Sequence, residues 1–122
     1  MELREYQQRA METCTPSSDN LMYMLLNLQG EVGEFSGKIA KAIRKEQLRI
    51  DENDIVINMH TSREQANTFY EELRKEGGDI LWQLFGVFSA LGWDAEVVAM
   101  QNLAKLRDRA NRGVIVGNGD NR

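Results

Sequence analysis

Residues 21–43 read LMYMLLNLQGEVGEFSGKIAKAI. Within them Leu21, Leu25, Leu28, Val32, Phe35, Ile39 and Ala42 recur at alternating steps of four and three, which predicts a long α-helix with one buried stripe. A polar row, Asn27, Glu31, Glu34, Lys38 and Lys41, follows one residue behind that stripe. The pair Glu31-x-x-Glu34 therefore borders the core at a groove edge. Three residues of α-helix turn the chain by about 300° and advance it by about 4.5 Å, so the two carboxylates are neighbours on one face.

A second acidic pair of the same spacing, Glu76-x-x-Asp79, lies further along, inside another helical pattern. There Phe69, Leu73, Ile80, Leu84, Val87 and Leu91 share a stripe, and Glu76 falls on it. A buried carboxylate without a partner costs several kcal/mol, so such a group is protonated, paired or bound to a cation. Pairing with a lysine, or a kink at Gly77-Gly78 that turns Glu76 outward, would also satisfy it. Two adjacent glycines in mid-helix cost roughly 2 kcal/mol relative to alanine, and close approach of a helix or ligand, or a simple bend, would account for them. Either acidic pair alone reads equally as surface decoration. Two pairs flanking apolar stripes can converge four carboxylates on a divalent metal, and an all-oxygen donor set suits Mg²⁺ or Mn²⁺.

Working outward, Leu3, Tyr6 and Ala10 mark an opening amphipathic segment, broken by Pro16, the only proline. Ser17, Ser18, Asp19 and Asn20 are N-cap candidates for the helix that follows. Periodicity fails between Glu46 and Thr61, where turn formers mix with Ile55-Val-Ile57; this predicts an insertion loop over about residues 47–61, with room for a little strand. Thr61-x-x-Glu64 has capping-box spacing and places the start of the third helix there. Leu81, Trp82, Phe85 and Phe88 make its second half apolar nearly all round, as expected of a helix that is central or lies between copies. Gly92 ends it, Asp94 caps a fourth helix over Ala95 to Asn111, and Gly113 stops that one. Residues 113–122 form a turn-rich tail containing Asn118-Gly119. The expected fold is all-α, an antiparallel bundle of four main helices with an irregular insertion and an irregular tail, in one domain spanning residues 1–122.

Composition bounds the chemistry. With 122 residues, 42% of them hydrophobic and 28% charged, the chain is an ordinary globular domain. Its net charge of −4 gives no general attraction to a nucleic-acid polymer. Cys14 is the only cysteine, so neither an intrachain disulfide nor a thiolate cluster can form, and it reads as a partly buried small side chain. No apolar run approaches the roughly 20 residues that span a bilayer, and Met1-Glu-Leu-Arg4 lacks a signal core; the expectation is a cytoplasmic protein without a membrane partner. His60, the one histidine, falls in the insertion and reads as an exposed loop residue, so Glu-x-x-His iron sites, His-x-x-x-His zinc sites and nucleophile triads are excluded. Trp82 and Trp93 read as core residues rather than base-stacking platforms. On the fourth helix, Asn102, Lys105 and Arg109 share a face that is either solvated or able to grip phosphate oxygens.

Glu31-Val-Gly-Glu34, Lys75-Glu76-Gly-Gly-Asp79 with its apolar continuation, Asn102-Leu-Ala-Lys105-Leu-Arg-Asp-Arg109 and the closing Arg112-to-Arg122 segment together resemble the MazG-like all-α nucleoside triphosphate pyrophosphohydrolases. The resemblance spans most of the chain. It implies a helical bundle that assembles as a homodimer or homotetramer, with Mg²⁺, or Mn²⁺ in its place, held by Glu31, Glu34, Glu76 and Asp79 as catalytic residues. It further implies hydrolysis of a nucleoside triphosphate to monophosphate and pyrophosphate by metal-activated water attack on the α-phosphate, with Lys38, Lys105 and Arg109 on the phosphates, aided by Asn102. Arg122 and the glycine backbone of the tail are expected to fold over them. Related readings are a dUTPase-like or phosphoribosyl-ATP pyrophosphohydrolase activity, or a non-catalytic helical module that binds a nucleotide. Two departures stand out: 41 residues separate Glu34 from Glu76, longer than the family's usual spacing, and Gly30 occupies a position that is acidic in some relatives. The second leaves the general base unassigned.

Overall fold

The computed structural model describes residues 1–122. Four helices, α1 (Leu3–Met11), α2 (Leu21–Arg44), α3 (Arg63–Ala90) and α4 (Ala95–Asn111), account for most of the chain, and a two-stranded hairpin, β1 (Leu48–Ile50) and β2 (Ile55–Ile57), fills the insertion. The all-α, MazG-like architecture expected from the sequence is the one observed. No helix is long and apolar enough to cross a membrane.

Helix boundaries follow local chemistry. The Asn20 side chain accepts the Tyr23 N–H at 2.8 Å and opens α2, and Asp94 Oδ1 accepts from Glu96 N at 2.8 Å to open α4. Gly92 (φ +74°) and Gly113 (φ +72°) end α3 and α4 in the left-handed region that glycine tolerates. The capping box of α3 is one residue later than expected. Ser62 Oγ accepts from Gln65 N at 3.1 Å and Gln65 Oε1 accepts from Ser62 N at 2.9 Å, while the Thr61 hydroxyl points away and donates to the Gln47 carbonyl at 3.0 Å.

The insertion is ordered by its short β-branched run. Leu48 pairs with Ile57, Arg49 with Val56 and Ile50 with Ile55, and a tight turn closes on Asp51 N–Asp54 O at 2.9 Å. Leu48 is buried, and Gln47 N donates to Ala42 O at 3.0 Å, which fastens the hairpin to the end of α2. His60 is exposed just beyond it.

Antiparallel packing of α2 on α3 makes the main seam: Met24 lies against Gly86, Asn27 against Gln83, Phe35 against Gly77 and Lys38 against Glu72. At Gly86 a Cβ would come within 2.6 Å of Met24 Sδ, so any larger residue there forces the buried Met24 side chain to move. Neither Gly77 nor Gly78 has such a reason within the chain, since added Cβ atoms would meet only the Phe35 ring at 3.8 Å or nothing, and α3 runs through both without a break.

The stripe of α2 expected to be buried is rotated by about one residue. Met24 is 1% exposed, whereas Leu21, Leu25 and Val32 stay open to solvent. The face turned to α3 is therefore Met24, Asn27, Glu31, Phe35, Lys38 and Ala42, so Asn27, Glu31 and Lys38 of the polar row enter the seam while Glu34 and Lys41 stay exposed. Helix α1 lies along the other side of α3, through a Tyr6–Phe85 edge-to-face pair with centroids 5.0 Å apart and a Trp82 Nε1 hydrogen bond to Ala10 O at 2.9 Å. Trp82 is thus a structural tie, while Trp93 is about half exposed rather than core. Gln7 clasps the α3–α4 corner, donating to Trp93 O at 2.8 Å and accepting from Ala95 N at 2.9 Å.

Candidate metal centre

Rotation of α2 brings Glu31 and Glu34 to face Glu76 of α3. One carboxylate oxygen from each lies within 4.8 Å of the others. Asp79, one turn beyond Glu76, is exposed and outside this cluster, yet near enough that its charge helps raise the pKa of Glu31. It also adds to the effect of burial in raising the Tyr6 phenol.

The cluster is short of positive charge. Lys38 reaches Glu76 Oε1 at 3.7 Å, but it also bridges to Glu72 Oε2 at 3.5 Å. Carboxylate oxygens within 4.8 Å of one another repel each other when both groups are ionised, by a few kcal/mol at an effective dielectric constant of about 20. Burial, and then the charges of Glu34 and Asp79, push the Glu31 carboxyl above the usual glutamate range, against a lowering contribution from the Asn27 hydrogen bond. Glu31 Oε2 and Glu76 Oε2 are buried and have no hydrogen-bond partner. Buried carboxylate oxygens facing a concentration of negative charge are what an oxygen-ligated divalent cation satisfies, so the donor set fits a hard cation such as Mg²⁺ or Mn²⁺.

Beside Lys38 lies a cavity of about 380 Å³, with Lys38 and Lys41 of α2 and the following Lys45 along one wall, and Glu64, Thr68 and Glu72 of α3 along the other. The periodicity of α2 identified Lys38 and Lys41 as one row, and Lys45, just past the end of the helix, continues it along the cavity.

The fourth-helix row is elsewhere. Helix α4 packs on α1, and no hydrogen bond or ion pair joins Asn102, Lys105 or Arg109 to the four acidic residues. Asn102 is exposed. Lys105 Nζ contacts Asp120 Oδ1 at 3.2 Å, and the buried Arg109 donates to the same oxygen at 2.9 Å and to Asp120 O at 3.1 Å. These two cations hold the Asp120 carboxyl below the usual aspartate range. Arg122 is likewise occupied within the tail, donating to the carbonyls of Val114 at 3.1 Å, Ile115 at 3.3 Å and Gly119. Asn27, which the sequence places in the polar row of α2, donates to Glu31 Oε1 at 3.3 Å, and Gln83, which the sequence does not single out, accepts from Asn27 at 2.8 Å.

Comparison with known proteins agrees with this geometry. The MazG nucleotide pyrophosphohydrolase domain matches residues 20–114, from the N-cap of α2 past the end of α4. Gene 37 protein of Mycobacterium phage L5 is 35% identical over 106 residues, covering 87% of this chain and 80% of the phage protein. No solved structure gives a significant match. With Glu31 and Glu34 meeting Glu76 between two long antiparallel helices and the domain match spanning all but the ends, the chain belongs to the MazG nucleotide pyrophosphohydrolase family.

Proposed function

We propose that this protein hydrolyses a nucleoside triphosphate to the monophosphate and pyrophosphate, using Mg²⁺ held by Glu31, Glu34 and Glu76 with Asp79 at the rim. The observation that carries this reading is the pair of buried, unpartnered oxygens, Glu31 Oε2 and Glu76 Oε2, in a chain of this family. A bound divalent cation supplies the positive charge that the cluster lacks, polarises a substrate phosphate and lowers the pKa of water. Exposed Glu34 and Asp79 bound the open side, where substrate and water enter. Lys38 steadies charge on the phosphate oxygens, and Lys41 and Lys45 extend the same positive wall along the cavity for the pyrophosphate end.

The protein acts as a homo-oligomer. Only 11 of 122 residues are buried in the single chain, and α4 leaves Val97, Met100, Leu103 and Leu106 open to solvent, far more apolar surface than a lone domain of this size sustains. In such an assembly Asn102 and Lys105 approach the phosphates of a second copy, while Arg109 serves through its hold on the tail.

A panel of nucleoside triphosphates assayed for pyrophosphate release with and without Mg²⁺ tests the activity. Release should require the cation and vanish in Glu34→Ala and Asp79→Ala with the helical circular dichroism intact. Nucleotide binding by calorimetry without product would instead mark a non-catalytic module.

A further inference from the structure

Gln83 is 1% exposed and lies in the α2–α3 seam among apolar neighbours. A buried primary amide is costly unless both of its ends are paired. Gln83 meets that demand in one direction only. Its Nε2 donates to the main-chain carbonyl of Met24 at 3.2 Å, and a carbonyl can only accept. The Oε1 end is thereby turned to Asn27, whose Nδ2 donates to it at 2.8 Å. Asn27 in turn must present its NH₂ group rather than its oxygen, and the remaining N–H of that group reaches Glu31 Oε1 at 3.3 Å.

The chain of bonds has a polarity fixed at a backbone atom and ends in a donor aimed at a carboxylate. Asn27 is only half-buried, so water could satisfy it; keeping both of its N–H bonds inside the protein has a consequence for Glu31 instead. With Oε1 held by Asn27, Oε2 is the oxygen left in the buried cluster, and it is the one without a partner.

We infer that Asn27 and Gln83 are positioning residues that lock the Glu31 carboxylate in its cation-binding orientation, a role that stands on the metal site proposed above. Gln83 acts entirely through Asn27. Outer partners of metal ligands typically change metal affinity by about 10- to 100-fold when removed, whereas a pair of amides that merely satisfied each other would affect folding stability alone.

The test is Mn²⁺ binding to the nucleotide-free protein, followed by electron paramagnetic resonance of the free ion, for the wild type, Asn27→Ala, Gln83→Leu and the double variant, with thermal midpoints measured alongside. Asn27→Ala should weaken Mn²⁺ binding by about 10-fold, Gln83→Leu by a similar factor, and the double variant by no more than about twofold beyond either single change, because both act on one oxygen. Mg²⁺ half-saturation of pyrophosphate release should move in parallel while kcat at saturating Mg²⁺ holds. Asn27→Ala deprives the buried Gln83 Oε1 of its donor and lowers the thermal midpoint, so Mn²⁺ affinity is read at a temperature where each variant is folded; Asn27→Ala alone decides the matter if Gln83→Leu does not fold. A folded Asn27→Ala with wild-type Mn²⁺ affinity, or costs that multiply in a folded double variant, would overturn the assignment while leaving the metal site standing. Absence of Mn²⁺ binding in the wild type would remove the metal site and this role together.

Discussion

Glu31 of α2 and Glu76 of α3 face each other across the helix seam, and each keeps one buried carboxylate oxygen that no donor in the protein reaches. Burial and the charges of Glu34, Asp79 and Glu76 all weigh against an ionised Glu31, and the proposed cation would offset them. Helix packing elsewhere along the seam, at Met24–Gly86 and Phe35–Gly77, holds the two side chains together.

Replacing Glu31 by Gln should therefore separate stability from function. The neutral amide still accepts from Asn27 and no longer places a charge in a buried site beside Glu34, Asp79 and Glu76, so the thermal midpoint of the cation-free protein should rise. Pyrophosphate release should fall by at least about 100-fold. A less stable but active Glu31→Gln would contradict this.

Protonation acts on the same group. The folded-state pKa of Glu31 is raised, by burial first and by Glu34 and Asp79 next, so within the window between the ordinary glutamate value and this higher one the folded chain binds a proton that the unfolded chain does not. Stability from this group is full below the window and is lost as pH rises through it. Metal-free melts should show a wild-type midpoint that falls relative to Glu31→Gln from mildly acidic to neutral pH. Mg²⁺, which binds the ionised form, should raise the wild-type midpoint most at neutral pH.

Close helix contact depends on Gly86. A Cβ there would meet Met24 Sδ at 2.6 Å and Cε at 2.9 Å, and Met24 is fully buried and also touches the Gln83 amide. Gly86→Ala should cost about 1–3 kcal/mol by denaturant unfolding. On the same criterion Gly37→Ala, with nothing within 4 Å of the new Cβ, should gain up to about 1 kcal/mol from helix propensity.

Self-association should depend on α4. Met100 and Leu103 are 64% and 66% exposed in the single chain, so Leu103→Asp should change the stability of one chain by no more than about 0.5 kcal/mol. Sedimentation velocity should find the wild type as a dimer or tetramer and Leu103→Asp shifted toward monomer. A monomeric wild type would remove the second copy from the account.

Much of this was legible in the sequence for identifiable reasons. Apolar spacing and polar caps located α2, α3 and α4, and Asn20, Asp94, Gly92 and Gly113 end them where expected. Rotation of α2 was harder to read: Leu21, Met22, Tyr23, Met24, Leu25 and Leu26 are apolar nearly all round, so periodicity cannot say which side meets α3. Spacing also sets which residues share a helix face but not which helix that face meets. For that reason the sequence pairs Glu31 with Glu34 and Glu76 with Asp79, while the structure gathers Glu31, Glu34 and Glu76, leaves Asp79 outside that cluster, and pairs Lys105 and Arg109 with Asp120. Gly86 and Gln83 carry no signature by themselves, because the close approach and the hydrogen-bond relay exist only once α2 and α3 are packed.

A crystal soaked in Mn²⁺ and measured for anomalous scattering tests the central claim most directly. The account predicts a strong peak among the carboxylates of Glu31, Glu34 and Glu76. Those side chains splayed apart, with no peak between them, would contradict it.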